Sequence, residues 1–346
     1  MLALPESLIP AAREFGARHG ATIDEQPLSA GPPAWIFADT GRNLAFRLGS
    51  SNNLPYLYEK TAIDLEAINE IHDLTDRVPL TFFSKPEIVS DEYVAQVSPF
   101  VQGRRVAIEG EHAVADHAAY GRALQAFHAA SAAKGRTHHA FEPFNPVVYV
   151  TRAFDYMEEE RRAGRLLQVG DTVFPPHLYG TLDRIIKQAE ADTHQLLEQV
   201  SADSLIDILF DITPANALID PESGEATLID TELMMQGPRI FDLARIEQWH
   251  RRFRRPAILG ETMLHAYEKQ AGSSFDREQL QLASEITTVS HGMFGLVKVT
   301  EALGKGYPAR QKILQDIIDR LEHIDNRDYS WMSDVSLKFA YLSGKG

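Results

Sequence analysis

Three residues have types and spacing that could do chemistry: Asp211, Asn216 and Asp230. An apolar run from Leu205 delivers Asp211 into a segment that contains Pro214. Asn216 opens a second apolar run, Pro221-Glu-Ser-Gly224 reverses the chain, and a third apolar run delivers Asp230. Two strands joined by a turn, with a third ahead of them, could bring the three side chains to one end of a small sheet. A carboxylate in such a place can orient a hydroxyl and take its proton. Magnesium prefers oxygen ligands, and in phosphate sites it usually takes one or two carboxylates besides phosphate and water. An Asn carbonyl and an Asp carboxylate meet that demand. Phosphoryl transfer to a hydroxyl uses both parts, with Asp211 as base and Asn216 and Asp230 as metal ligands. The bland alternative is a hairpin in which Asp and Asn fill ordinary turn positions.

The elements that must hold these residues follow from periodicity. Residues 1–20 read as a leading helix. Ala34–Asp39 and Asn43–Leu48 read as strands joined by the turn Asp39-Thr-Gly-Arg42, after the breaker cluster Ser29–Pro33. A helix is expected over 56–74, then a hairpin from Ile88-Val89 to Tyr93–Val97. Past Pro99 the pattern turns helical. Tyr120, Ala123, Leu124, Phe127 and His128 share one helical face; so do Leu178, Leu182, Ile185, Ile186 and Ala189, and later Ile313, Leu314, Ile317, Ile318 and Leu321. The strand-rich segment Leu205–Ile229 lies among these helices.

With these residues in place, the chain resembles the aminoglycoside phosphotransferase and choline kinase-like family. That family shows His-Gly-Asp-x-x-x-x-Asn, then an Ile-Asp-Trp/Phe-Glu step, then Gly-Asp-Pro-x-x-Asp-Leu-Ala. Asp211 to Asn216, Ile229-Asp-Thr-Glu232 and Phe241-Asp-Leu-Ala244 occupy these steps in order. The resemblance implies that Asp211 is catalytic, that Asn216 and Asp230 bind metal with help from Glu232, and that Asp242 anchors the loop. It also implies a basic residue on a strand of the N-terminal lobe, here Arg47, and an acidic residue on the following helix, here Glu66. Two steps depart from the pattern: Leu209-Phe210 replaces His-Gly, and Gly237-Pro238-Arg239 replaces Gly-Asp-Pro. The likeness spans about residues 25–250, and the last hundred residues carry no diagnostic motif.

The implied fold is α+β and two-lobed, of the protein kinase kind. A small β-rich N-terminal lobe, 1–98, would bind nucleotide, and a large helical C-terminal lobe, 99–346, would carry catalysis and substrate. ATP would sit between them with its adenine near Val97 and Ser98, magnesium on its phosphates, and a small-molecule hydroxyl as acceptor: an aminoglycoside, a sugar or an amino alcohol. A pseudokinase, keeping the fold as a binding or regulatory module, is the alternative. A protein substrate fits less well, because the Asp-Phe-Gly and Ala-Pro-Glu steps of protein kinases are missing.

Composition bounds the rest. At 346 residues the chain exceeds one typical domain. It has no cysteine, which excludes disulfides and thiolate zinc sites and fits a reducing cytoplasm. The net charge of −15 disfavours nucleic acid as a partner. No apolar run is long enough to span a membrane, and the first residues lack the pattern of a signal peptide. His128 reads as a core histidine and His138 and His139 as surface. Asp155 and Glu158–Glu160 read as a solvated helix face in the lobe where the family holds substrate. The arginines that follow His250 read as complements to a helix dipole. Gly304–Ala309 fits the dinucleotide fingerprint formally, but it follows helix-like sequence and is rejected.

Overall fold

Phe37, Phe46 and Val97 lie side by side on one face of an antiparallel sheet, and that face explains the first third of the chain. The computed structural model describes residues 4–28, 34–50, 70–77, 87–134, 158–159, 161–164, 168–169, 171–199, 205–209, 212–229, 234–252, 256–301 and 308–322. The sheet has strand order β1-β2-β4-β3, with β1 Ala34–Ala38, β2 Leu44–Ser50, β3 Glu87–Ile88 and β4 Tyr93–Pro99. Its register aligns Phe37 with Phe46 and Phe46 with Val97, and directly opposed residues share a face. Helix α1, Leu8–Arg18, covers that face with Leu8, Ala12 and Phe15, all fully buried. The Phe15 and Phe46 rings meet edge to face at 5.9 Å between centroids. Each such aromatic contributes about 1.5–3 kcal/mol of burial. The β1–β2 turn is closed by Asp39, whose carboxylate accepts the amides of Asn43 at 2.6 Å and Leu44 at 3.0 Å.

These elements belong to the first of two compact units, drawn from Met1–Ala140, Thr213–Met234 and Thr262–Gly272. The same unit holds helix α2, Ala113–Lys134, and a three-stranded sheet of order β10-β9-β5. Strand β5 is Arg104–Arg105, β9 is Ala217–Ile219 and β10 is Ala226–Leu228. The face expected of Tyr120, Ala123, Leu124, Phe127 and His128 is buried, and burial extends around the helix to Asp116, Ala119 and Ala130. His128 is a core histidine as expected, sharing a 2.8 Å hydrogen bond with Tyr267. A Cβ on Gly121 would stand 2.2 Å from the Met263 carbonyl, so only glycine permits this approach.

The second unit is drawn from Phe141–Ile212, Met235–Glu261 and Ser273–Gly346. It contains the hairpin β6–β7 (Gln168–Val169 and Thr172–Val173), helix α3 (Leu178–Gln199) and the pair β8–β11 (Leu205–Ile208 and Met235–Pro238). Helix α4, Ile240–Arg252, then leads to α6, Arg277–Glu301, and α7, Pro308–Glu322; the intervening α5, Ala257–Ala271, spans the sequence boundary between the units. Helices α4 and α3 both pack on α6. The expected α3 face from Leu178 to Ala189 is buried. Among the described residues, no helix is long and apolar enough to cross a membrane. Gly304–Tyr307, from the rejected fingerprint, lie outside the described residues.

The strand before Asp211 pairs differently from expectation. The run Leu205–Ile208 does not join the hairpin that carries Asn216. It pairs with Met235–Pro238, while β9 takes Arg104–Arg105 as its second neighbour. A Pro214–Asn216 3₁₀ turn separates the two runs and resets the backbone. Both partner strands escape periodicity: one is a pair of arginines and the other contains Gly237-Pro238.

Asp116 is the buried partner of Arg104. It receives both guanidinium nitrogens, one at 2.7 Å, and the Ala107 amide at 2.8 Å. Burial pushes its carboxyl up, but the Arg104 hydrogen bonds, the Ala107 amide and the nearby positive charges outweigh that and hold it below its ordinary value. A folded-state pKa below the unfolded one stabilises above the unfolded pKa and loses that stability as pH falls through the folded value. Asp116→Asn should therefore cost stability at neutral pH, about 1–3 kcal/mol for the lost charged hydrogen bonds. The gap to wild type should close as pH drops below about 4. Chemical denaturation of both proteins across pH 3–7 checks it; a gap that stays constant with pH would refute the charge assignment.

Candidate active site

Strand β8 carries the buried Asp207 and ends at Ile208, one residue before Leu209, itself 5% exposed. The Leu209 amide donates to Oδ2 of Asp242 at 2.8 Å. Asp242 stands in the first turn of α4 and has no exposed surface. A buried carboxylate needs such donors, since an unpaired charge there is costly. Asp242 thus anchors the backbone two residues before Asp211, the role expected of it. The side chain of Leu209, where the family has histidine, is packed away in the interior.

The next described stretch begins at Ile212. Thr213 is extended, and Pro214–Asn216 form a single 3₁₀ turn with proline at its start. The Thr213 carbonyl accepts the Asn216 amide at 2.9 Å and the Tyr120 hydroxyl at 3.1 Å. The Asn216 carbonyl in turn accepts the Ile229 amide at 2.9 Å. This bond extends the β9–β10 ladder, in which Ala217 faces Leu228, by one more pair. Asn216 therefore lies directly across from the residue that precedes Asp230, and its side chain is half-buried. Its acceptor oxygen suits a hard cation. The turn after β9 is closed by Asp220, which accepts the amides of Glu222 and Ser223, both at 2.8 Å. Those two amides, Ser223 first, hold its carboxyl below the ordinary range. Among the described residues no group of three His, Cys, Asp or Glu side chains comes together as a metal site.

Arg47 sits on β2 between Phe46 and Leu48, both fully buried toward α1. Its own side chain is half-buried and stands on the opposite face, as alternation requires. Ile36 and Gln96 lie directly across from it on the neighbouring strands. Ser98 shares this face, opposite Ala45. Val97 does not: its side chain is in the α1-side core at 1% exposure, so only its backbone remains for a ligand. Gln96 was missed in sequence. It is 4% exposed on the Arg47 face, and a glutamine inside an apolar strand was the signal that could have found it. Tyr120 was read as a core residue, and only the fold shows what its hydroxyl meets.

Asp211, Asp230, Glu232 and Glu66 lie outside the described residues, as do Ser29–Pro33, His138, His139, Asp155 and Glu160. Glu158 and Glu159 are described. They line a cleft of about 630 Å³ in the second unit with Arg161, Tyr179 and Asp183. Arg161 donates three hydrogen bonds to the Glu158 carboxylate, the shortest 2.8 Å, and its guanidinium lies 5.5 Å from the centre of the Tyr179 ring. Burial first, and then the Glu158 charge, push the Tyr179 phenol above its usual pKa, with Arg161 opposing. Glu158 is thus an engaged residue and not a freely solvated one.

No protein-family model matches the chain, and no curated protein matches it in sequence. Solved structures do match. A choline/ethanolamine kinase family protein from Mesorhizobium loti aligns with a TM-score of 0.60 at 12% identity, over 96% of this chain and 99% of its own. A spectinomycin phosphotransferase in complex with ADP and spectinomycin aligns at 0.57 and 12%, over 98% and 100%. An aminoglycoside phosphotransferase from Streptomyces rimosus in complex with ADP and streptomycin aligns at 0.55 and 12%, over 82% and 97%. At such identity the likeness is one of fold, and the fold is shared with small-molecule phosphotransferases.

The Asp242 anchor makes a direct prediction. Asp242→Ala leaves the buried Leu209 amide without that acceptor and should cost about 1–3 kcal/mol. Asp242→Asn should cost less, because its amide oxygen can still accept. Denaturant unfolding gives the energies, and hydrogen exchange at the Leu209 amide reads the bond itself. Unchanged exchange at Leu209 in Asp242→Ala would show that the anchor lies elsewhere.

Proposed function

We propose that this chain is an ATP- and magnesium-dependent phosphotransferase that acts on a hydroxyl of a small molecule. Its two lobes would be 1–98 and 99–346, working in the cytoplasm. The observation that supports the reading is the pairing of Asn216 with Ile229, the residue that precedes Asp230 in sequence. The sequence order Asp211, Asn216, Asp230 then supplies a base and two oxygen ligands. The fold likeness to proteins crystallised with ADP supports a nucleotide.

The roles divide as follows. Asp211 orients the acceptor hydroxyl and takes its proton as the oxygen attacks the γ-phosphorus, while the bond to the β,γ-bridging oxygen breaks and ADP leaves. Asn216 and Asp230, assisted by Glu232, hold the metal. A magnesium ion held by these residues would supply the positive charge that offsets the phosphates. Arg47 grips the α- and β-phosphates with a planar fork, for which Lys is a poor substitute. Glu66 holds that fork in place. The strand end at Val97 and Ser98 receives the adenine, with the Val97 backbone as the contact. The acceptor is an aminoglycoside, a sugar or an amino alcohol. The anchor on Leu209 favours this reading over a pseudokinase, because the backbone before Asp211 is braced without the family's histidine.

An acceptor panel read by ATP consumption is the test. Steady turnover with one acceptor is expected, and Asp211→Asn should reduce it by about 10²–10⁴ with ATP affinity nearly intact. Near-normal turnover in Asp211→Asn would sink the base assignment. Nucleotide binding without turnover on any acceptor would favour the pseudokinase. In parallel, Arg47→Ala should raise the ATP dissociation constant and Arg47→Lys only partly restore it. An Arg47→Ala protein that folds and binds ATP as wild type does would remove Arg47 from the site.

A further inference from the structure

We propose that Tyr120 is a positioning residue for Asn216 and thereby sets how tightly the site takes its divalent cation. The inference rests on the metal-ligand role of Asn216 and goes beyond it, because Tyr120 lies on a helix about ninety residues earlier in the chain and acts through the Thr213 carbonyl.

Pro214–Asn216 is a single 3₁₀ turn, a motif with poor intrinsic hydrogen-bond geometry. Thr213 precedes it in extended conformation and does not cap it with its own side chain. Pro214 has no amide to donate. The Asn216 amide closes the turn on the Thr213 carbonyl at 2.9 Å. A carbonyl has two lone pairs, and the second is taken by the Tyr120 hydroxyl at 3.1 Å.

The far end of this contact is rigid. Tyr120 is 1% exposed and is held by a helix pressed against Met263 through Gly121, where a Cβ would meet the Met263 carbonyl at 2.2 Å. A fully buried tyrosine has few rotamers left, and its hydroxyl needs a polar partner inside the protein. The partner is the carbonyl that fixes Asn216. On its other side Asn216 is held through its carbonyl by Ile229. The backbone of Asn216 is therefore pinned at both its amide and its carbonyl, and its side chain inherits a narrow range of directions. Without the hydroxyl, the Thr213 carbonyl keeps only the turn's own bond. The turn then gains freedom, and the Asn216 oxygen spends less time where a cation needs it.

The experiment compares single-oxygen deletions. Tyr120→Phe keeps the packing of the ring. Tyr267→Phe makes the same chemical change at a buried tyrosine of the same unit, where the hydroxyl meets His128 instead. ATP binding is titrated by calorimetry over a series of MgCl₂ concentrations, beside thermal melts of each nucleotide-free protein. Tyr120→Phe should need roughly 10-fold more magnesium for half-maximal enhancement of ATP binding, with metal-free ATP affinity unchanged, the lower end of the effect expected when a ligand's support is removed. Tyr267→Phe should lower the melting temperature comparably and leave the magnesium midpoint where it was. Asn216→Ala separates the two layers of the claim. If Asn216→Ala shifts the midpoint and Tyr120→Phe does not, the positioning role is wrong and the metal reading stands. If Asn216→Ala leaves the midpoint unchanged, the metal reading itself fails and this inference falls with it. If both tyrosine variants shift the midpoint alike, the effect is general loosening, and the specific role of Tyr120 is overturned.

Discussion

The Leu209 amide and the buried Asp242 carboxylate meet at 2.8 Å, and the chain around the candidate site depends on that kind of contact. A loop that leaves a strand inside a protein carries amides and carbonyls with no ladder to join. Each must find a partner or cost free energy comparable to a lost hydrogen bond. Here the partners are side chains carried by regular elements. Asp39 closes the first hairpin, Asp116 receives the Ala107 amide after β5, Tyr120 meets the Thr213 carbonyl, and Asp242 takes Leu209. Polar atoms held by packed helices and strands thereby set the course of the loops.

The same logic explains why the apolar framework can be plain. Phe37, Phe46 and Val97 from three strands, with Phe15 from α1, make a face that repels water and selects no ligand. Its consequence lies on the other side of the sheet. Once Phe46 and Leu48 are committed to the core, Arg47 has only the opposite face, and with it Gln96 and Ser98. The charge is positioned by the hydrophobic residues beside it. The Asp116 and Arg104 pair brings in electrostatics, since guanidinium and amide outweigh the loss of water and hold the buried carboxyl below its ordinary value.

Much of this was legible in the residues themselves. The helix faces of Tyr120–His128 and Leu178–Ala189, the hairpin around Asp39, and the pairing of the run after Asn216 with the run before Asp230 all rest on local periodicity and turn chemistry. The chemical reading of Asp211, Asn216 and Asp230 came from residue type and spacing along the chain. The strands Arg104–Arg105 and Met235–Pro238 were not legible, because neither has an apolar alternation and each exists only by pairing with a distant run. For the same reason Leu205–Ile208 was assigned to the wrong sheet. Val97 was read as a binding position from its place near the connector, and its side chain proved to belong to the core.

The sequence by itself determined the hairpin around Asp39, the faces that α2 and α3 bury and the side of β2 on which Arg47 stands, because these follow from turn chemistry and from periods of 3.6 and 2 within single segments. Tertiary structure alone decided the strand partners of Leu205–Ile208 and Arg104–Arg105, that Asp242 bonds Leu209, and that Tyr120 and Asn216 share one carbonyl. Those contacts join residues tens of positions apart, and no local pattern encodes a donor's partner. They are selected when packing brings a buried polar atom within reach of one that can satisfy it.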